Sequence, residues 1–174
     1  MRNTKKLTLS ALFLAAGQVL PFLTGQIPEI GNMMLPMHIP VLLCGFICGP
    51  SWGVIVGFIT PILRSMIFGM PHMMPNAVGM AFELATYGLV TGVMYVIFKK
   101  SKLGTYASLI IAMVAGRIIW GLVSVMIFRI LGATFSWDLF VGGALLQAIP
   151  GILLQLLLIP PIIFILKKVG FIKE

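Results

Sequence analysis

Charge is scarce in this sequence, and acid is scarcer still. Charged residues make up 9% of its 174 positions, and only four of them are Asp or Glu. A water-soluble domain carries about a quarter charged residues, so this composition excludes one. Cysteine is almost missing as well. Cys44 and Cys48 stand four apart on one apolar run, where helical geometry holds them too far apart for an unstrained disulfide. They read as a small-residue packing face with Gly45 and Gly49. The chain also lacks the signatures of enzymes. It has no H-E-x-x-H, no G-x-S-x-G, no paired intramembrane aspartates and no GxxxxGK[ST] loop, so it cannot itself hydrolyse ATP by that route. A hydrolase needs a nucleophile with a base in reach, and no spacing here supplies one. Metal chemistry is equally unsupported, because no Cys or carboxylate stands at ligand spacing from His38 or His72. The chain therefore reads as no enzyme, with no catalytic residue, no metal ligand and no cofactor of its own.

Apolar residues fill the space that charge leaves: 60% of the chain, with a mean hydropathy of +1.12. A membrane span needs roughly 20 mainly apolar residues. Six such segments are legible, at about Leu7–Leu23, Met37–Gly49, Trp52–Phe68, Val78–Phe98, Tyr106–Leu131 and Phe140–Leu166. The fold class is an all-α integral membrane protein, a compact six-helix bundle in which residues 1–174 form one membrane domain. The net charge of +8 is topological rather than a polyanion site, so nucleic acid is not a partner. Arg2, Lys5 and Lys6 precede the first span, Lys99, Lys100 and Lys102 lie between the fourth and fifth, and Lys167, Lys168 and Lys173 follow the sixth. With six spans all three clusters fall on one side, which the positive-inside rule makes cytoplasmic, and both termini with it. The basic start and apolar run resemble a signal peptide, but no A-x-A cleavage pattern follows. The segment is read as the first helix.

Length and polarity collect on the opposite side, in residues 24–36, in GMPHMMPNA at Gly69–Ala77 and in GATFSWD at Gly132–Asp138. The inner turns are tight, with Pro50–Ser51 as the shortest. One run is apolar yet broken: MMLPMHIPVLLCGFICGP at Met33–Pro50 is interrupted by Pro36, His38 and Pro40. A helix tolerates such breaks where it borders a protected, partly wet cavity in which freed backbone groups find partners. Met66, Met70, Met73 and Met74 gather around the second outer loop, as lipid-facing filler or as a soft lid over a ligand.

Charged residues inside spans are candidates by default, since each is costly unless paired or wet. Arg64 and Arg129 lie near the outer ends of their helices, where snorkelling explains them as well as function does. Glu83 and Arg117 are too deep for that. Arg117, Trp120 and Ser124 share a face of the fifth helix, Glu83 shares one with Met80, Thr86 and Tyr87, and Gln147, Gly151 and Gln155 share one on the sixth. Three polar stripes point to a common cavity opening outward. The competing reading is an ion pair of Glu83 with Arg117 or Arg64 that only ties helices together. Small residues at four-residue spacing, Gly45 and Gly49, Gly53 and Gly57, Gly88 and Gly92, read as close helix contacts. Ala11 and Ala15 offer a similar smooth patch, for bundle packing or for a partner membrane protein.

LPMHIPVLLCGFICGP at Leu35–Pro50, WGVIVGFITPILRSMIFGMP at Trp52–Pro71 and MAFELATYGLVTGVMY at Met80–Tyr95 together resemble the membrane-embedded S component of an energy-coupling factor (ECF) vitamin transporter. The resemblance covers nearly the whole chain. It implies a substrate-binding subunit in a prokaryotic plasma membrane that captures a water-soluble vitamin or precursor from outside. It also implies a membrane coupling subunit as partner, with two cytoplasmic ATPase subunits that consume the ATP. Carried onto this sequence, the substrate-binding positions are Glu29, Asn32, His38, His72, Asn76, Glu83, Arg117, Trp120 and Gln147. Ala11 and Ala15 match the family's A-x-x-x-A contact with the coupling subunit. A buried guanidinium suits a carboxylate, which favours pantothenate over riboflavin. The rival classes are a stand-alone small-molecule transporter and a structural assembly protein whose polar stripes bind partner helices.

Overall fold

A computed structural model describes residues 3–24, 34–98, 101, 103–132, 142 and 148–171. Among these, six helices exceed ten residues and no strand occurs. The first, α1 (Asn3–Val19), tightens into a 3₁₀ turn at Leu20–Thr24. It starts earlier than hydropathy alone marks it, since Lys5 and Lys6 are inside the helix. α2 (His38–Cys48) and α3 (Pro50–Phe68) follow, then a single π turn at Met73–Ala77 that leads into α4 (Val78–Ile97). α5 (Gly104–Ile130) and α6 (Ile149–Lys168) complete the bundle. Five of the six are long and apolar enough to cross a membrane; α2 is not. At 11 residues it rises only about 16 Å, roughly half of a hydrocarbon core. The stretch from Phe140 up to α6, apart from Gly142 and Ala148, lies outside the described residues.

The broken run resolves into a late helix start, not an unwound helix. Leu35 takes φ +49 and Pro36 follows it. The helix begins at His38, so Pro40 falls in its first turn, where a backbone N–H would have no intrahelical acceptor. The turn between α2 and α3 is also displaced from the expected Pro50–Ser51. Gly49 makes it alone, at φ +95, which a side chain would strongly disfavour, and Pro50 already occupies the first position of α3.

Of the five long helices α4 is the most buried and packs against α2, α3 and α5, whereas α1 is the least buried. Glycine permits the tightest of these contacts. A Cβ at Gly53 would sit 2.6 Å from the Gly88 carbonyl oxygen, and one at Gly88 would collide with the Gly53 backbone. Such approach replaces the hydrophobic drive that helices lack in lipid. The inward faces carry the core of Val41, Leu42, Leu84, Leu109, Ile159 and Ile163, while Leu12, Met66, Val96, Ile130, Leu157 and Phe164 are turned outward. Cys44 and Cys48 are buried and unlinked, with the Ser10 hydroxyl 3.7 Å from Cys44 Sγ.

Among the described residues, Lys6 and Lys167 lie at one end of the bundle. Gly49 lies near Lys6 Nζ, and Lys167 Nζ stands 4.9 Å from the Tyr95 ring centre. The start of α4, the end of α3 and the 3₁₀ turn after α1 lie at the opposite end.

Candidate functional site

The ionisable residues inside the bundle do not share one fate. Arg64, expected at a boundary, is 4% exposed. Its Nη1 donates to the Gln18 carbonyl at 2.7 Å, and its guanidinium lies 5.3 Å from the Phe22 ring centre and 5.1 Å from that of Phe68. Gln18 Nε2 in turn donates to the Thr60 carbonyl at 3.0 Å. Snorkelling fails as an account because aromatic rings and a main-chain carbonyl give the cation enough to stay inside. Arg129, on the last turn of α5, is exposed as a snorkelling residue should be.

Glu83 is the focus of a second cluster. It sits five residues into α4, about 7 Å along the helix axis from Val78, and is 1% exposed. Its Oε1 accepts the Tyr87 hydroxyl at 3.0 Å and lies 3.1 Å from Arg117 Nη1. The His38 Nε2 stands 3.8 Å from the same oxygen, beyond hydrogen-bond reach. The imidazole is fully buried and tilts toward the Tyr87 ring, with centroids 5.4 Å apart. Three helices therefore converge on one carboxylate: α2 through His38, α4 through Glu83 and Tyr87, and α5 through Arg117.

Local sequence makes the convergence possible. Tyr87 follows Glu83 by one helical turn, so their side chains are neighbours. Gly116 precedes Arg117, and a Cβ there would occupy the space of the Tyr87 ring. Gly79 opens α4 to the next turn of α5 in the same way: a Cβ there would stand 3.4 Å from Trp120 Nε1 and 3.6 Å from Ser124 Oγ. The α5 stripe of Arg117, Trp120 and Ser124 thus faces α4. Thr86 leaves the Glu83 face, since it is only partly buried and its hydroxyl returns to the Phe82 carbonyl.

The cluster holds more hydrogen-bond donors than acceptors. Arg117 Nε and Nη2 and both His38 ring nitrogens are buried without hydrogen-bond partners. Burying such groups unpaired costs about 1–3 kcal/mol each, and more for a charged one. The free guanidinium atoms are not scattered: Nε and Nη2 form the side-on fork of arginine, the edge that receives a carboxylate in bidentate fashion. Glu83 holds Nη1, and the fork remains open.

Of the positions expected to bind substrate, His38, Glu83 and Arg117 come together, and Trp120 lies one turn from them on α5. His72 and Asn76 are exposed beside and within the π turn that enters α4. Glu29, Asn32 and Gln147 lie outside the described residues. Ala11 and Ala15 are exposed on α1, whose buried residues are Ser10 and Gly17. Tyr87 was placed on the right face but not counted as a site residue. Its spacing of four from a buried acid is the signal that identifies it.

A family model described as "ECF transporter, substrate-specific component" matches residues 5–163. The chain belongs to this family. Searches of curated proteins and of solved structures return no match. As a substrate-specific component, the protein is a membrane-embedded transporter subunit that serves a small-molecule substrate alongside partner subunits.

Proposed function

We propose that this substrate-specific component captures a carboxylate-bearing vitamin or vitamin precursor, with pantothenate the leading candidate, at the outer face of the plasma membrane. The observation that carries the reading is the buried, unpartnered Nε–Nη2 edge of Arg117 beside Glu83. A cation that existed only to tie helices together has no use for a free fork in a region where unpaired donors are costly. A carboxylate fits that edge by shape and charge, and His38 offers a further polar group to an acceptor-rich ligand. Trp120 supplies an aromatic surface one turn away. The exposed residues His72 and Asn76 stand at the mouth of this end, with Met70, Met73 and Met74 as an adaptable rim.

The chain is the capture subunit, and ATP-driven movement belongs to partners: a membrane coupling subunit and two cytoplasmic ATPases. α1 suits docking on the coupling subunit, because Ala11 and Ala15 form a smooth exposed stripe on the least buried helix. Both termini then lie in the cytoplasm, as the basic end of the bundle favours.

The test is a thermal-shift and mass-spectrometric screen of the purified protein against water-soluble vitamins. Pantothenate should stabilise it, and a tightly bound carboxylate vitamin should co-purify. A hit confined to carboxylate-free vitamins would overturn the substrate class. Uptake by liposomes holding this chain alone would overturn its role as a capture subunit.

A further inference from the structure

We infer that Tyr87 is a positioning residue: its hydroxyl holds Glu83 so that the acid cannot close on the fork of Arg117, and the fork stays available to a ligand. What the fork then receives is the carboxylate proposed above, so the effect on binding rests on that reading. A guanidinium and a carboxylate left to themselves pair through two parallel bonds. Glu83 and Arg117 do not. Their contact runs through Nη1 at 3.1 Å, while Nε and Nη2 are buried with no hydrogen-bond partner. A two-bond pair would satisfy more of the arginine, and unsatisfied donors are costly when buried, so something must withhold the acid. The Tyr87 hydroxyl is placed to do it. It donates to Oε1 at 3.0 Å, the same oxygen that meets Nη1, so both contacts act on one corner of the carboxylate.

The phenol is itself held. Tyr87 lies one turn beyond Glu83 on α4, and a helical side chain leans back over the preceding turn, which brings the hydroxyl to the acid. The residue is only 1% exposed. Gly116 of α5 leaves room for its ring, since a Cβ there would overlap it, and the His38 ring of α2 stands 5.4 Å away, centre to centre. With neighbours on three helices fixing the ring, the hydroxyl has little freedom to follow the acid toward Arg117. Gly116 immediately precedes Arg117, so the residue that seats the phenol and the residue whose edge it protects arrive on the same turn of α5. The other buried phenol of α4 makes the contrast. Tyr95 has Thr91 rather than an acid one turn before it, and its hydroxyl has no hydrogen-bond partner.

Two measurements on the full chain in nanodiscs test this role. The first needs no ligand. Isotopic labelling of arginine nitrogen for magnetic resonance leaves Arg2, Arg64, Arg117 and Arg129 to report, and Arg117→Lys identifies the signal of interest. In the unmodified protein the Arg117 Nε–H should resonate as an unbonded group; in Tyr87→Phe it should move downfield as Glu83 closes on the fork. An Nε–H already bonded in the unmodified protein, or unmoved by Tyr87→Phe, would overturn the inference. The second is calorimetric titration with pantothenate, biotin, nicotinate and folate in turn, with riboflavin as the carboxylate-free control. For an acidic vitamin that binds, Tyr87→Phe should weaken affinity about tenfold while the ligand-free melting temperature is held or raised. In the Glu83→Gln background, where no carboxylate can close the fork, the same substitution should change affinity by less than about twofold. Equal losses in both backgrounds, or a loss matched by a fall in melting temperature, would make Tyr87 a packing residue and overturn its role. If only riboflavin binds, the carboxylate reading falls, and the ligand-free spectra still decide what Tyr87 does.

Discussion

Two arginines lie inside this bundle, and the contrast between them separates scaffold from site. Arg64 is enclosed by Phe22 and Phe68 and bonded to the Gln18 carbonyl, and none of its nitrogens is left both buried and unbonded. Arg117 is paired with Glu83, yet two of its nitrogens are buried without a partner. Burial alone does not distinguish the two, since Arg64 is the more deeply enclosed. Satisfaction does. A cation whose surroundings complete its bonding holds α1 to α3, whereas the one left incomplete among three helices is the one we propose receives a ligand. Hydropathy and depth rank intramembrane charges by cost, and the count of leftover donors then indicates purpose.

The frame shared by both arginines can be broken first. Gly88→Val would drive a branched side chain into the Gly53 backbone, and the predicted outcome is loss of folded protein, seen as aggregation on size-exclusion chromatography. The comparison itself is sharpened by exchanging each arginine for lysine, which keeps the charge and removes the planar fork. Arg117→Lys should weaken binding of the acidic vitamin by about 10–100-fold, measured by titration, with little change in thermal stability. Arg64→Lys should do the reverse: affinity within about twofold of the unmodified protein, and stability lower by about 1–2 kcal/mol through lost ring stacking. Equal effects at the two positions would erase the distinction. The smallest expected contrast lies within α2. His38→Ala should damage binding, whereas Cys44→Ala should leave affinity unchanged and cost about 1 kcal/mol or less of stability, because the thiol only fills space beside Ser10.

Much of the architecture is legible in the sequence. The all-helical membrane fold follows from composition, because 60% apolar content with 9% charge has no stable arrangement in water. The glycine pairs announced close helix contacts, and Gly45, Gly53, Gly57, Gly88 and Gly92 make them. Element boundaries were harder to read. The Gly49 turn was assigned to Pro50–Ser51 because proline signals a break without saying on which side, and Pro50 serves as a helix start. Arg64 stays open between snorkelling and function in the sequence, because nothing in its neighbourhood along the chain shows that Phe22, more than forty residues earlier, will cover it. Thr86 was grouped with Glu83 because helical periodicity gives a face to within about one residue, and a packed interface is narrower than that.

The sequence alone determined what this protein is made to sit in: the apolar runs and the basic clusters require a membrane, and the motifs carry the family. It also supplied Glu83 and Arg117 as residues too costly to bury without purpose. Only the tertiary structure decided that they meet, that Tyr87 joins them, that His38 approaches without bonding and that Arg64 belongs elsewhere. The physical reason is distance along the chain. Solvent preference and helical period are properties of single residues and short windows, whereas hydrogen-bond satisfaction is settled between helices, here across 45 positions from His38 to Glu83 and 34 from Glu83 to Arg117.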